Sequence, residues 1–459
     1  MILFIYRKCF YLEVLGGDYM IDNRKFLAYL KCKRRAFLLD CSKKDDYDDL
    51  IKNLYMKANK GIDCMYDFDT TIKHLNSNQI LYNGCIKKDD LICYFDMADN
   101  NGFYIFKNGL KLSVRYQMEL EYISYCMNND KKYYVYLINP NYVLQDELDI
   151  NQLVIKKEVE IKRTEYVKEV IRKINKLSYL PTNIEYCYNE CEFRDYCFKD
   201  ISSDSILNLS NSNKKYNYYN NGIKTFTDML NSKLFDDLSL MNKRQILYSC
   251  KNLDTYIDKI LLEDFLSKIK YPIYFLDFES ISEEIPPFKG AKPYQTIPFL
   301  YSLHIYDGNK LSHHYFFMEK GIDDRYNMAL SVDTLIGDLG SIIAYNTGIE
   351  KEIIGSLSNY VPRLKTFLNR FIDLEIPFRN NYVYDKEFFG SHSIKYVYPA
   401  LIKNDIFYKD LDCQNGLSAM EIYQNMTSDD DKEDLIKYCS LDTYACYKIY
   451  LKLCEFLKK

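Results

Sequence analysis

The spacing of apolar and polar residues predicts a mixture of strands and helices in the first 200 residues. Residues 80–110 alternate and turn in the manner of a β-meander, with a turn at Asn100-Asn101-Gly102. A helical period follows in residues 112–128, a strand pattern in residues 131–140, and a long amphipathic helical pattern in residues 154–177. The N-terminal half is therefore expected to be an α/β domain.

In the C-terminal half, two short apolar runs and one long periodic segment are the clearest signals. Residues 271–280 (YPIYFLDFES) and residues 341–346 (SIIAYN) are typical of buried strands, and residues 437–453 have the period of a helix. This order of elements indicates a second α/β domain.

Two acids, Asp277 and Glu279, interrupt the first apolar run. Side chains two apart on a strand point to one face, so both carboxylates should face one way while Leu276 and Phe278 face the core. Unpaired buried charge is costly, and a bound divalent metal ion would stabilise such a pair. A strand end whose acids reach solvent is the alternative.

Two later motifs extend this pattern. Asn346 and Glu350 follow the second strand, and Tyr438 and Asp442, four residues apart, share one face of the last helix. The order D-x-E, N-x-x-x-E, Y-x-x-x-D resembles the DEDD exonucleases of the ribonuclease-H-like superfamily, in the subtype with tyrosine in the last motif. Glu350 departs from that family, which usually has Asp there. A further acid, Asp373, is expected to support the fold or the substrate path rather than to bind metal.

The resemblance implies a ribonuclease-H-like mixed sheet flanked by helices and a metal-dependent 3′–5′ exonuclease activity on DNA or RNA. Two Mg²⁺ or Mn²⁺ ions would share four carboxylates. The expected metal ligands are Asp277, Glu279, Glu350 and Asp442. Tyr438 would orient the attacking water.

The expected partner is the 3′ end of single-stranded DNA or RNA. Asn346 would position the substrate strand or a neighbouring carboxylate, and Tyr294 and Gln295 would line the nucleotide pocket, with Tyr294 available for stacking. Packing of Tyr294 in a turn beside Pro293 is the alternative.

Four further segments, residues 275–280, 285–308, 388–402 and 415–423, resemble a family of uncharacterised bacterial proteins. That family couples a RecB-like, cysteine-bearing N-terminal half to a DEDD-like C-terminal domain. The resemblance implies a restriction-endonuclease-like α/β core of the PD-(D/E)xK type in the N-terminal half. Asp96 and Lys107 fit its motif, but Ile105 occupies the position of the second acid, and Glu121 stands in place of the usual glutamine. We therefore expect this core to bind substrate rather than to cleave it.

A cysteine motif gives this half its strongest signal. Cys187, Cys191 and Cys197 lie close together in the chain, and Cys32 lies far upstream. The RecB-like resemblance implies that these four thiolates hold a [4Fe–4S] cluster. A Cys₄ zinc site and a set of unrelated thiols are the alternatives. Cysteines on the last helix, such as Cys439, have helical spacing and are expected in the core.

These signals divide the chain into four segments. Residues 1–19 form an extension before a native start at Met20, or else a strand or helix packed on the first domain. Residues 20–202 form the RecB-like domain, residues 203–268 a helical linker, and residues 269–459 the exonuclease-like domain. Within the linker, Gly222-Ile223-Lys224-Thr225 opens a helix and resembles a helix-hairpin-helix turn, with a plain helical spacer as the alternative.

Composition limits the remaining possibilities. A chain of 459 residues suits two or three domains, and its net charge of −4 argues against a broadly basic nucleic-acid coat while allowing a local basic groove. No apolar run approaches the length of a transmembrane helix, and the first residues do not fit a signal peptide, so we expect a cytoplasmic protein with reduced thiols and no membrane partner. The alternative function is a non-catalytic iron–sulfur protein that binds nucleic acid and whose nuclease cores have both lapsed.

Overall fold

The computed structural model describes residues 20–39, 49–187, 191–403 and 405–458, so the prediction for residues 1–19 lies outside the described residues. The fold is mixed α/β, and the contacts divide the chain into two compact units, Met1–Asp200 and Ile201–Lys459. Within the described ranges, no helix combines the length and apolar composition that a membrane-spanning segment requires.

One mixed sheet organises the first unit. Its strands, in both chain order and sheet order, are β1 (Ile62–Asp63), β2 (Leu81–Lys88), β3 (Leu91–Ala98), β4 (Gly102–Lys107), β5 (Lys132–Ile138) and β6 (Val154–Val159). The helices of this unit are α1 (Asn23–Lys31), α2 (Lys33–Leu38), α3 (Leu50–Ala58), α4 (Phe68–His74), α5 (Val114–Met127), α6 (Ile150–Leu153), α7 (Thr164–Ile174) and α8 (Arg194–Phe198). The pairs β1–β2 and β4–β5 are parallel and the other neighbouring pairs are antiparallel.

The predicted β-meander is confirmed as β2–β4, and the predicted helix and strand that follow it are confirmed as α5 and β5. The long helix predicted for residues 154–177 is wrong: the segment forms strand β6, an irregular connection and the shorter helix α7. Strand β6 pairs antiparallel with β5 along its length, burying Val154 and Val159 while its lysines face solvent. Tertiary pairing has overridden an ambiguous apolar period here.

Helices α1, α5 and α7 pack on one another, and α5 also packs on β3. Phe26 of α1, Tyr122 of α5 and Val167 of α7 are fully buried in this core. Burial of a large apolar side chain contributes about 1.5–3 kcal/mol, so this layer fixes the position of α5 against the sheet. It thereby determines which side chains of α5 face outward.

The second unit is built on a five-stranded sheet with the order β10–β9–β8–β11–β12. Its strands are β7 (Tyr256–Ile257), β8 (Ile273–Ile281), β9 (Ile297–Tyr306), β10 (Leu311–Phe317), β11 (Ser341–Ala344), β12 (Phe371–Asp373) and β13 (Val383–Tyr384), of which β7 and β13 form a separate pair. Strands β10, β9 and β8 pair antiparallel, whereas β11 pairs parallel with both β8 and β12.

Helices make up much of the rest of this unit. They are α9 (Lys214–Asn220), α10 (Phe226–Leu230), α11 (Leu240–Lys251), α12 (Lys259–Ser267), α13 (Arg325–Leu335), α14 (Gly348–Leu357), α15 (Ile376–Arg379), α16 (Ile394–Leu401), α17 (Gly416–Asn425) and α18 (Asp429–Lys458). Helices α14, α17 and α18 all contact β8, which makes that strand the centre of the unit. The predicted strands around residues 271–280 and 341–346 and the predicted last helix are thus confirmed as β8, β11 and α18.

Residues 203–268, predicted to be a helical linker, contain α9–α12 and belong to the second unit. They carry a small apolar core of their own, with Ile206, Phe226 and Ile246 nearly or fully buried. Helix α10 begins directly after Thr225, which caps it in a capping box with Asp228, so the predicted helix start is confirmed.

Candidate functional site

Four carboxylates from three elements meet beside the centre of the second sheet. Asp277 and Glu279 project from β8, Glu350 from the first turn of α14, and Asp442 from α18. Glu279 and Glu350 are buried, with 7% and 5% of their surface exposed. Leu276 and Phe278 are buried in the core, as the alternation along β8 predicts. A β-bulge between Glu279 and Ser280 shifts the register against β9, and bulges of this kind re-aim side chains beside functional sites.

Burial and neighbouring acids raise the pKa of the three carboxylates on β8 and α14. Burial, followed by the charges of Asp442, Glu279 and Glu350, raises the pKa of Asp277 well above its ordinary value. Burial and the charge of Asp442 raise the pKa of Glu279 to about 8, and burial with the same neighbour raises the pKa of Glu350 to about 7. Such a shared set holds protons at neutral pH unless a cation replaces them.

The oxygens of these four acids are candidate ligands for a divalent metal ion. Oε2 of Glu350 is buried and has no hydrogen-bond partner among the described residues, and a buried carboxylate oxygen left in this way is costly. Carboxylate oxygens are the ligands that Mg²⁺ and Mn²⁺ prefer. A cation among these four acids would therefore satisfy the unpartnered oxygen and offset the mutual repulsion.

Two tyrosines hold Asp442. The hydroxyl of Tyr408 donates a 2.5 Å hydrogen bond to Oδ1 of Asp442. Burial raises the pKa of Asp442 to about 6, while hydrogen bonds from Tyr408 and Tyr438 and the charge of Lys395 lower it. Tyr438 is itself buried, and burial together with the charge of Asp442 raises its pKa, so its hydroxyl keeps its proton. Tyr408 lies on a one-turn 3₁₀ helix, Tyr408–Asp410, and no sequence pattern connects it with α18.

Lys395, at the start of α16, is the basic residue whose charge acts on this cluster. Its Nζ donates to the carbonyl of Gln414 at 2.6 Å and lies 5.6 Å from the ring centre of Tyr408. Its charge lowers the pKa of both Glu279 and Asp442. The sequence contained no signal for this role, because a single lysine on an amphipathic helix is ordinary.

Cys439 also reaches the cluster. Its Sγ lies 3.4 Å from Oδ2 of Asp277 and 3.7 Å from the carbonyl oxygen of the same residue. Cys439 is fully buried, as predicted for a core residue. Its position beside Asp277, however, was not predicted, because helical spacing alone does not say which strand a buried thiol will touch.

Asn346 lies in the connection between β11 and α14, and Asp373 lies at the end of β12. Asn346 is exposed and adopts the left-handed conformation, with φ of 65°. Oδ1 of Asp373 accepts hydrogen bonds of 2.9 Å from the backbone N–H groups of Asn346 and Glu375, and its other oxygen lies 3.0 Å from Arg379. These contacts make Asp373 a support for the loop that presents Asn346.

Tyr294 and Gln295 lie in the loop between β8 and β9. The N–H of Tyr294 donates to the carbonyl of Glu283 at 2.7 Å, and Oε1 of Gln295 accepts from the N–H of Lys292 at 3.0 Å. The side chain of Gln295 thus closes a turn on its own segment. Contact of either residue with a nucleotide stays a prediction.

A separate cleft of about 750 Å³ lies in the first unit, between α1 and α5. Its charged lining residues are Arg24, Lys31, Arg35, Lys52, Lys107 and Arg115 against Asp49, Asp96 and Glu119. Lys52 is buried, lies 3.6 Å from Asp96 and donates to the hydroxyl of Tyr66 at 2.7 Å. More of the charged lining residues are basic than acidic, and four of the basic ones, Arg24, Arg35, Lys52 and Lys107, form ion pairs with acids in or beside the cleft.

Glu119 of α5 brings a carboxylate to Lys107 in this cleft. Lys107 lies 3.0 Å from Glu119. Burial lowers the pKa of Lys107, but the charges of Glu119 and Asp96 outweigh this effect and the pKa is raised. Asp96 itself accepts a 2.8 Å hydrogen bond from the N–H of Phe106. The cleft thus contains a second carboxylate that the strand motif lacks.

Glu121, predicted at the glutamine position of this core, faces elsewhere. Its two carboxylate oxygens accept hydrogen bonds of 2.8 and 2.9 Å from the N–H groups of Lys162 and Arg163, directly before α7. Residues two apart on a helix lie on different faces, and the packing of α5 sends Glu119 to the cleft and Glu121 to the interior. Glu121 therefore supports the backbone at the start of α7, and its place at the glutamine position of the motif stays a prediction.

The four predicted cluster cysteines come from both ends of the first unit. Nε of Arg34 donates to Sγ of Cys197 at 3.3 Å, and the charge of Cys197 contributes to the raised pKa of Cys32, after burial. Burial and the neighbouring Cys191 raise the pKa of Cys187 to about 11. Ion pairs hold the same segments together, including one of 2.8 Å between Lys33 and Glu185.

A protein-family comparison matches residues 274–393 to a family described as "Domain of unknown function (DUF2779)". The matched region includes Asp277, Glu279 and Glu350 but ends before Tyr438 and Asp442. No curated protein and no solved structure matched the chain.

Proposed function

We propose that the second unit is a metal-dependent 3′–5′ exonuclease that hydrolyses phosphodiester bonds of DNA or RNA. One observation carries this proposal. Four acids lie close together, and one of their carboxylate oxygens, Oε2 of Glu350, is buried without a hydrogen-bond partner among the described residues. Burying several acids beside one another costs free energy, and such clusters are typical of sites that bind cations and act on phosphates. The arrangement of the sheet supports the same proposal, since a central strand bearing D-x-E between antiparallel and parallel neighbours is similar to the ribonuclease-H-like fold.

The protein's own groups have separable roles in this proposal. Asp277, Glu279, Glu350 and Asp442 would hold Mg²⁺ or Mn²⁺, which when bound supplies a Lewis acid for the phosphate and lowers the pKa of bound water. Tyr438 keeps its hydroxyl proton and can donate to the attacking water. Tyr408 fixes the Asp442 carboxylate, as outer partners fix metal ligands.

Lys395 is a positive group beside the same carboxylates, where it can neutralise charge on a bound phosphate. Asn346, exposed on a loop that Asp373 supports, is proposed to contact the substrate strand. We propose the 3′ end of single-stranded DNA or RNA as the substrate, with Tyr294 and Gln295 in the nucleotide pocket.

The test uses the full-length chain and single-stranded DNA and RNA labelled at either end. With Mg²⁺ or Mn²⁺, 5′-labelled substrate should shorten stepwise from its 3′ end, and a chelator should stop the reaction. Asp277→Asn should abolish shortening, while Asp264→Asn, which changes an exposed acid on α12, should not. Equal activity in Asp277→Asn and wild type, or no activity with either metal, would contradict the proposal.

The first unit supports a second candidate, a non-catalytic role in binding nucleic acid. The observation favouring it is the basic lining of the cleft, since basic side chains that track phosphates supply most sequence-independent affinity. In this case the protein should bind a labelled strand with strong salt dependence and leave it intact. An intact strand with both metals would favour this candidate, and stepwise shortening would favour the exonuclease.

We also propose that Cys32, Cys187, Cys191 and Cys197 hold a [4Fe–4S] cluster. Four thiolates are the ligand set that such a cluster requires. Burial and the neighbouring Cys191 raise the pKa of Cys187, and the charge of Cys197 contributes, after burial, to the raised pKa of Cys32, which supports a common site for these thiols. A Cys₄ zinc site has the same ligand chemistry, and analysis of iron, sulfide and zinc distinguishes the two.

A further inference from the structure

The carboxylate cluster contains a thiol at metal-binding distance. Ligand atoms of Asp277, Glu279 and Cys439 all lie within 4.8 Å of one another, and within the described ranges they form the one set of three or more acids, histidines or cysteines that does so. The closest approach is 3.4 Å, between Sγ of Cys439 and Oδ2 of Asp277. Glu350 adds an unpartnered oxygen, and its residue surface is 95% buried.

This composition differs from an all-oxygen site. Mg²⁺ takes oxygen ligands almost alone, whereas a thiolate favours softer cations such as Zn²⁺ and Cd²⁺. The thiol of Cys439 donates its proton in a hydrogen bond to Oδ2 of Asp277, at 3.4 Å. A soft cation can displace that proton into solvent and form a metal–sulfur bond.

We propose that Asp277, Glu279 and Cys439 form a mixed carboxylate–thiolate site for a thiophilic divalent cation of the Zn²⁺ class, which displaces Mg²⁺ or Mn²⁺ and inhibits the enzyme. The inference rests on the proposed function, because it takes the same carboxylates as the catalytic metal site. Binding forms one metal–sulfur bond and releases one proton from the thiol, with no change of oxidation state. The activity thereby becomes sensitive to the ratio of thiophilic to hard cations.

The fully buried Cys446 provides a matched control on the same helix. It lies seven residues beyond Cys439, two helical turns further along α18, and it is not part of the 4.8 Å set. Both thiols have a raised pKa from burial and from nearby acids. Substitution of either one by serine therefore makes the same chemical change in a similar environment.

The binding experiment titrates Cd²⁺ into the full-length protein and follows the ultraviolet charge-transfer band of cadmium–sulfur bonds. The thiols of the first unit are the same in every variant. The difference in band intensity between a variant and wild type therefore reports binding at the substituted cysteine. Compared with wild type, Cys439→Ser should lose the part of the band's intensity that comes from one cadmium–sulfur bond. Cys446→Ser should keep that intensity, and excess Mn²⁺ should remove it from wild type. An unchanged band in Cys439→Ser, or its loss in Cys446→Ser instead, would overturn the proposal.

The activity experiment measures inhibition by Zn²⁺ at fixed Mg²⁺, with each variant normalised to its own uninhibited rate. Cys439→Ser should need about tenfold or more Zn²⁺ for half inhibition, the scale of losing one metal partner, while Cys446→Ser should match wild type. Cys439→Ala serves as a second variant if the serine disturbs folding. A protein without nuclease activity that still shows the Cys439-dependent band would refute the exonuclease and retain the metal site.

Discussion

The hydroxyl of Tyr408 donates a 2.5 Å hydrogen bond to Oδ1 of Asp442, 34 residues further along the chain. Asp442 therefore has one carboxylate oxygen fixed by the protein. Partners of this kind orient metal ligands, and their loss typically reduces metal affinity or activity by about 10–100-fold.

We accordingly expect Tyr408→Phe to weaken Mn²⁺ binding by about 10–100-fold, because the Asp442 carboxylate loses both its orientation and a donor that lowers its pKa. Calorimetric titration of Mn²⁺ into wild type and variant measures the effect. Tyr423→Phe is the matched control, since that buried hydroxyl donates to the carbonyl of Met318. Equal Mn²⁺ affinity in wild type and Tyr408→Phe would show that the hydrogen bond does not support a metal site.

Asp442→Asn keeps the size of the side chain but removes a charged ligand, so turnover should fall by about a hundredfold or more. Tyr438→Phe keeps the ring and deletes the hydroxyl proposed to orient water. Its turnover should fall toward the lower end of the roughly 10²–10⁴-fold range of acid–base groups. Its Mn²⁺ affinity should fall less than that of Tyr408→Phe, because the Tyr438 hydroxyl acts more weakly on Asp442. Single-turnover rates at saturating Mn²⁺ distinguish the two variants. If both cleave like wild type while folding normally, α18 does not carry the third motif.

The raised carboxylate pKa values predict how stability depends on pH. Burial raises the folded-state pKa of Glu279 to about 8 and that of Glu350 to about 7, above their ordinary values. Their contribution to stability is fully present below those ordinary values and is lost as pH rises through about 7 to 8. Metal-free protein should therefore have a lower Tm at about pH 8.5 than at about pH 5.5.

Added Mn²⁺ should raise the Tm most at the alkaline end, where fewer protons must be displaced. Scanning calorimetry with and without a chelator measures both effects, and Glu279→Gln should flatten the pH dependence of the metal-free protein. The second unit of the metal-free protein could instead have a Tm that rises between about pH 5.5 and about pH 8.5. That result would contradict the raised pKa values of the carboxylate cluster.

Protein purified without oxygen should be brown and contain iron and sulfide, because the four clustered thiols are proposed to hold an iron–sulfur cluster. Cys32→Ser should bleach the colour and lower the stability of the first unit. The control is Cys250→Ser, an exposed thiol of the second unit. If the protein contains stoichiometric zinc and neither iron nor sulfide, the four thiols form a structural zinc site and the iron–sulfur proposal is wrong.

Lys107→Ala should change cleavage little, since the proposed chemistry lies in the second unit. It should nevertheless destabilise the first unit by about 1–3 kcal/mol, because Glu119 is left largely buried without its partner. Denaturant unfolding of Lys107→Ala, Glu119→Ala and the double variant gives the coupling between the two side chains. A large loss of turnover in a folded Lys107→Ala would indicate that the cleft is a second catalytic centre.

The local periods along the chain determined much of this architecture. A period of two requires Asp277 and Glu279 to share a face of β8, and spacing by four requires Tyr438 and Asp442 to share a face of α18. These are properties of one element, and they hold wherever that element docks. For the same reason the meander β2–β4 and the helix α5 were predictable.

Only the tertiary structure decided which faces meet. It turned the helical pattern at residue 154 into strand β6, because pairing with β5 outweighed a weak local preference. It sent Glu119 rather than Glu121 to the cleft, and it brought Tyr408, Lys395 and Cys439 to the carboxylates. Each of these outcomes depends on the docking of separate elements, which is set by the packing of their apolar faces and not by the spacing of residues within any one of them.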